Sequence, residues 1–345
     1  MMSQTKVAVL GGGSFGTVLA NIAAENGHQS QLWLRDSATA QQINERHENK
    51  RYMPGYSLKP GLIATTDLKK AIVDSTVIFV AIPSSSFRSV IQRIKPDLQP
   101  EQILVSTTKG FDADGFMLMS EIIAAYTDNK KIGVLSGPNL AKEISQRVLT
   151  GTVVASEYPE VRNTVQSLLA NEYFRVYSGS DMYGVELAGS LKNIYAIISG
   201  LAAALGMGEN TRSLLITRSL AEMSRFAVSL GANPLTFIGL AGVGDLIVTC
   251  MSPLSRNYRV GYALGKGESL KQAIASLGEV AEGVKTLELV KHKADEMAVY
   301  MPLVNVLYDV IYSGLSISQA IKTLMMGAQN TDVEFVLSDK LKVNS

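Results

Sequence analysis

The stretch that most limits what this chain can fold into is VAVLGGGSFGTVLA, residues 7–20. An unbroken apolar run reads as a strand, the glycines as a tight turn, and SFGTVLANIAAENG as an amphipathic helix. Gly11, Gly13 and Gly16 stand in G-x-G-x-x-G spacing across that turn. Gly11 permits the sharp turn, Gly13 lets the backbone approach a pyrophosphate, and Gly16 lets helix and strand pack closely. The helix N-terminus then faces the anion. Strand, turn, helix and a second strand in this order predict a Rossmann-type dinucleotide-binding domain. The bland alternative is a glycine-rich turn that binds nothing.

The rest of the first half repeats the alternation. KVAVLG, SQLWLR, LIATT, TVIFVAIP, ILVSTTKG, KIGVLSG, TVVAS and FRVYS read as strands, with amphipathic stretches such as SSSFRSVIQRIK between several of them. Such alternation implies a parallel, doubly wound sheet with helices on both faces. After Ser180 strand signals nearly vanish, and helices are expected at 181–205, 210–230, 256–264, 268–276, 282–296, 301–312 and 315–324. The expected organisation is α/β then all-α: residues 1–180, residues 181–330, and a peripheral tail at 331–345.

Composition narrows the function. A net charge of +1 gives no basic field for nucleic acid, and a single cysteine, Cys250, excludes an intrachain disulfide framework. Cys/His zinc spacing is absent, so no metal is expected. The chain enters its first strand at once, leaving no room for a signal peptide, which points to the cytoplasm. The run from Leu187 to Gly208 is apolar enough to need a membrane check. Lys192, Asn193, Ser190, Ser199 and several glycines interrupt it, and a buried core helix is the better reading.

Two charged positions carry the chemistry. The second strand ends in Arg35, where an acid would hydrogen-bond a ribose 2′-hydroxyl and an arginine can accommodate a 2′-phosphate. Asp36 beside it weakens that contrast, and Arg35 also reads as a solvated surface charge. Lys192 is the only charged side chain between Leu187 and Gly208, with no carboxylate in that run to pair it. A buried ammonium loses hydration and becomes a usable proton donor or acceptor toward an alcohol–carbonyl pair. It shares a helix face with Ala188, Gly189, Tyr195, Ala196 and Ser199, and Gly189 and Ser190 are expected to leave room for a ligand. The alternative is a lysine snorkelling to the surface. His28, His47 and His292 are the only histidines, and none has persuasive surroundings for this role.

The motifs GGGSFGTVLA, TTKG, SGPNLAKE, GVELAGSLKNIYAI, RSLAEMSR, GLAGVGDLIVTC, SRNYRVG and EVAEGVKT, in this order, resemble the bacterial NAD(P)-dependent glycerol-3-phosphate dehydrogenase family. The resemblance runs from about residue 5 to about residue 325. It implies reversible conversion of dihydroxyacetone phosphate and sn-glycerol 3-phosphate with NAD(H) or NADP(H), mainly reduction toward phospholipid synthesis. It also implies a helical domain like that of 6-phosphogluconate dehydrogenase, and a homodimer. By the same resemblance Lys192 is the proton donor/acceptor, Ser14 and Phe15 belong to the cofactor loop, and Arg35 faces the adenosine end. Lys109 lies between cofactor and substrate, where a cation suits developing oxyanion charge. Gly137 and Asn139 belong to the substrate loop and Ala141 to the cofactor side. Asn139 replaces the family's usual small hydroxyl residue, which an amide can do as donor or acceptor. Val280 and Glu282 match a cofactor-contacting segment, and Arg256 is counted on both the cofactor and the substrate side.

SPLSRNYRVG makes physical sense unaided, with Ser255 at a helix N-cap followed by Arg256 and Asn257. Hydroxyl, backbone N–H groups and a guanidinium can hold a phosphate dianion. Asp245, in a glycine-flanked loop, can accept from a substrate hydroxyl or orient the lysine. An ordinary cap and an ordinary turn carboxylate are the competing interpretations. Among enzymes the nearest rival is a two-domain reductase of 2- or 3-oxo acids.

Overall fold

The computed structural model describes residues 5–112, 115–277, 281–327 and 332. Val280 and the expected tail, Asp332 apart, lie outside the described residues. The chain forms two compact units, one of residues 1–190 with 239–248 and the other of 191–238 with 249 onward.

All eight expected strands form. They are β1 (Lys6–Leu10), β2 (Gln29–Trp33), β3 (Leu62–Thr65), β4 (Val77–Val80), β5 (Ile103–Ser106), β6 (Ile132–Ser136), β7 (Thr150–Ala155) and β8 (Phe174–Gly179). They make one sheet in the order β3-β2-β1-β4-β5-β6-β7-β8. Val7 and Val9 feed one apolar cluster with Val18, Leu19 and Ile22, while Ala8 and Leu10 feed another with Ile78, Val80 and Phe87. Side chains of a strand alternate between faces, so a sheet covered on both sides reads as an unbroken apolar run. One expectation is corrected: β7 pairs antiparallel to β6, and the other strand pairs are parallel. The β6–β7 link carries only the short helix Ala141–Ser145, whereas β7 and β8 are joined through Pro159–Leu169. A chain that turns back without a full crossover helix can pair only antiparallel.

The second unit is helical among its described residues, and the seven expected helices lie within two residues of their expected ends. The long helix Met182–Ala204 has 78% of its most apolar stretch buried, as a core helix does. Its glycines serve packing. A Cβ at Gly200 would lie 1.9 Å from the Tyr258 carbonyl oxygen, and one at Gly261 would lie 1.8 Å from that of Ile197. The helix Arg256–Gly265 therefore lies backbone to backbone on Met182–Ala204 through two positions where no side chain fits. A second correction concerns Asp245, which opens the helix Asp245–Met251 after a π-helical turn at Leu240–Gly244. Buried Leu246, Thr249 and Cys250 give that segment helical spacing, which outweighs the flanking glycines.

Candidate active site

In the first unit the cradle sits where the strand order reverses, at the carboxyl ends of β1 and β4, the place where open α/β sheets bind ligands. Gly11 has φ +129°, and a Cβ there would lie 2.2 Å from the Ala81 carbonyl oxygen. At Gly16 a Cβ would lie 2.0 Å from the Gly11 carbonyl oxygen, while at Gly13 nothing stands within 4 Å. Two glycines thus close the turn against the sheet, and the third leaves its outer side open to a ligand. Ser14 and Phe15 begin the helix Ser14–Glu25, whose N-terminus has no side-chain cap and no acid in its first turn. Its exposed N–H groups suit a pyrophosphate. The residues present fit a dinucleotide.

Arg35 is exposed just beyond β2. Asp36 caps the helix Ser37–Arg46, accepting from Thr39 N at 3.0 Å and from the Thr39 hydroxyl. Those bonds, the hydroxyl's foremost, hold its carboxyl below the usual range. The acid that blurs the sequence argument at Arg35 is therefore a capping residue.

Lys109 follows β5, and its ammonium donates to Gly137 O at 2.9 Å and to Asp245 Oδ2 at 2.6 Å. Lys109 is thus a lysine that Asp245 engages. Gly137 follows β6 with φ +139°, and the Asn139 amide donates to Thr152 Oγ1 at 3.0 Å. Thr152 in turn donates to Ser136 O at 2.9 Å, so Asn139 is left presenting its Oδ1, a buried atom with no protein partner. Ala141 opens the short helix after this loop. Gly189 and Ser190 do not leave open room. A Cβ at Gly189 would lie 2.6 Å from Ser136 Oγ, and Ser190 Oγ accepts from Gly110 N at 2.9 Å.

In the second unit Lys192 is 5% exposed and does not snorkel. Its ammonium is not left unpartnered, as the sequence suggested, because it donates to Thr249 Oγ1 at 2.6 Å. Ser255 caps the helix Arg256–Gly265 by accepting from Tyr258 N at 3.3 Å, with Arg256 exposed at the first position. Asn257 donates to Asn193 Oδ1 at 2.9 Å and accepts from Gly283 N at 3.0 Å. Its amide thereby fixes the start of Glu282–Glu296, the helix that Glu282 opens. Thr249, Asn193 and Asn49, whose amide donates to Gly12 O at 2.9 Å, escaped sequence reasoning. Thr249 lies four residues after Asp245, a helical interval that reads as a shared face once that segment is recognised as a helix.

A dinucleotide cradle at the switch point of a doubly wound sheet, followed by a helical unit holding a buried lysine, defines a nicotinamide-dependent dehydrogenase of two-domain type. Comparison with known proteins narrows the class. Residues 6–162 match the family described as NAD-dependent glycerol-3-phosphate dehydrogenase N-terminus, and residues 181–322 match its C-terminus. A glycerol-3-phosphate dehydrogenase (NAD(P)+) of Pseudomonas paraeruginosa is 56% identical over 336 residues, 97% of this chain and 98% of that one. One from Teredinibacter turnerae is 54% identical over 334 residues, with 97% and 98% covered. The solved structure of glycerol-3-phosphate dehydrogenase from Coxiella burnetii superposes with a TM-score of 0.89 at 36% identity, covering 94% of this chain and 99% of that one. The chain belongs to the NAD-dependent glycerol-3-phosphate dehydrogenase family.

Proposed function

We propose that this chain reversibly reduces dihydroxyacetone phosphate to sn-glycerol 3-phosphate with Lys192 as the proton donor and acceptor at the substrate oxygen. The nicotinamide cofactor, when bound, supplies or accepts the hydride. Gly11, Gly13, Ser14, Phe15 and Gly16 hold its pyrophosphate, Arg35 its adenosine end, and Ala141, Arg256 and Glu282 further parts. In the reductive direction the carbonyl oxygen gains negative charge and takes a proton from the Lys192 ammonium. In the oxidative direction the amine takes the hydroxyl proton. Lys109, oriented by Gly137 O and Asp245, places a second cation for the developing oxyanion. Asn139 offers an acceptor to the substrate hydroxyl. The hydroxyl of Ser255, the guanidinium of Arg256 and the N-terminus of their helix hold the phosphate, with Asn257 beside them.

The observation that carries this reading is Lys192 itself: a buried amine on an apolar helix, aimed by a hydroxyl at 2.6 Å. The division into residues 1–180 for cofactor and 181–330 for substrate, the cytoplasm, the homodimer and the supply of glycerol phosphate to phospholipids belong to the same proposal. Lys192→Ala is expected to lower kcat about a hundredfold or more, the usual scale for lost general acid–base help. The measurement is absorbance at the nicotinamide band with dihydroxyacetone phosphate, run with NADH and with NADPH. Near-normal turnover in that variant overturns the assignment.

A further inference from the structure

Lys109 stands at the head of a loop that one helix holds at both ends. Ser190, on the helix Met182–Ala204, accepts from Gly110 N at 2.9 Å, and its own hydroxyl donates to the Glu186 carbonyl oxygen at 3.0 Å. The Glu186 carboxylate, one turn earlier on the same face, accepts from Ser120 N at 3.1 Å and from the Ser120 hydroxyl. Ser120 lies in the first turn of the helix Met119–Tyr126, so Glu186 serves N–H groups that this helix cannot satisfy itself. Gly110 and Ser120 are thus tied to one face of one helix, through two side chains that are both buried. All of these residues belong to the first unit.

The same face reaches the cation. A Cβ on Gly189 would lie 3.6 Å from Lys109 Cγ, so the lysine stem runs over the position between the two clamping residues. Before Lys109, Thr107 donates to Val80 O at 3.2 Å and Thr108 to Ile82 O at 2.7 Å, which fixes the chain as it leaves β5. After it comes Gly110, with φ +153°, and a residue without a Cβ restricts its own backbone little. The chain on that side is therefore held by hydrogen bonds, and the buried Gly110 N–H spends its bond on Ser190. Further on, Asp112 pairs with Arg88, Asp112 N donates to Met117 O at 2.9 Å, and Phe111 stacks on Phe116. These contacts close the loop on itself, so a displacement at one end is passed to the other.

We propose that Ser190 is a positioning residue for the reaction: by holding Gly110, while Glu186 holds Ser120, it fixes the backbone from which Lys109 reaches Gly137 O and Asp245. The inference rests on the reading of Lys109 as the cation for the developing oxyanion. A lysine carries its charge at the end of a flexible stem, so anchoring the ammonium alone leaves its root free to shift. Electrostatic stabilisation requires the charge to stand in place before the reaction begins. Without the Ser190 hydroxyl the buried Gly110 N–H loses its acceptor, and the chain beside Lys109 moves to recover one.

The test is steady-state reduction of dihydroxyacetone phosphate by the full chain. The variants are Ser190→Ala, Glu186→Ala, Glu186→Gln, Lys109→Ala, and Ser190→Ala combined with Lys109→Ala. Ser190→Ala should lower kcat about ten- to a hundredfold, the scale of a misplaced group. In the Lys109→Ala background the same change should cost nothing further, since no ammonium is left to aim; a role in folding alone would cost the same in both backgrounds. Glu186→Ala should lower kcat as well, and Glu186→Gln, whose amide oxygen still accepts from Ser120 N, should restore most of that loss. A Ser190→Ala kcat equal to the wild type, or a loss as large without Lys109 as with it, overturns the inference and leaves the role of Lys109 standing. If Ser190→Ala does not fold, Ser190→Cys, close in size but a weak acceptor, carries the same comparison. Near-normal turnover in Lys109→Ala overturns the reading of that lysine and this inference with it.

Discussion

Lys109 and Asp245 stand 136 residues apart in the chain and 2.6 Å apart in space. The carboxylate is 2% exposed and the lysine 23%, so the pair is screened less than a surface bridge. A double-mutant cycle with Lys109→Met and Asp245→Asn, read by urea unfolding, should give a favourable coupling of about 1–3 kcal/mol, above the usual value for exposed pairs. A coupling below about 0.5 kcal/mol would show the pair to be a chance of geometry. The sequence presented both residues as candidates but gave no sign that they pair. Thr249 was invisible for a related reason. A threonine in an apolar helix has no signature of its own until the amine it faces is known.

At the scale of elements, Glu222 shows how a buried carboxylate can anchor a helix from another part of the chain. It accepts from Leu303 N and Val304 N, both at 2.9 Å, and so satisfies the first turn of Pro302–Tyr312. Burial dominates these bonds and pushes its carboxyl up to about 7 from 4.5. The sign of the linkage follows. Between pH 4.5 and 7 the folded chain keeps a proton that the unfolded chain releases, so this group's contribution to stability falls as pH rises through that window. Glu222→Gln removes the titration. Its Tm relative to the wild type should therefore be more favourable at pH 8 than at pH 5, and a difference independent of pH would contradict the burial argument. Glu186, lifted to about 7 by burial against the Ser120 amide and hydroxyl, should add a second contribution of the same sign.

For the molecule as a whole, ligand linkage is the direct check on where binding energy enters. NADPH at about a hundred times its Kd should stabilise the folded chain by about 2.7 kcal/mol. Scanning calorimetry should read this as a rise in Tm. A Tm that moves with neither NADPH nor NADH would speak against the dinucleotide reading of the cradle. The first unit is also built from distant pieces. Residues 239–248 belong with 1–190, and Leu240 packs near Gly151 of β7, within 3.3 Å of where a Cβ would stand.

Local pattern determined much of this protein. Eight strands, the long helices and the glycine turn follow from periodicity and from the few backbone shapes a turn allows, and both act over neighbouring residues. What only the tertiary structure decided were pairings across the chain: β7 reversed on β6, Asp245 set on Lys109, Thr249 on Lys192, Asn257 spent on Gly283, and Asn49 gripping Gly12. Partner choice at such distances depends on which surfaces the packed elements bring together, and no local spacing encodes it.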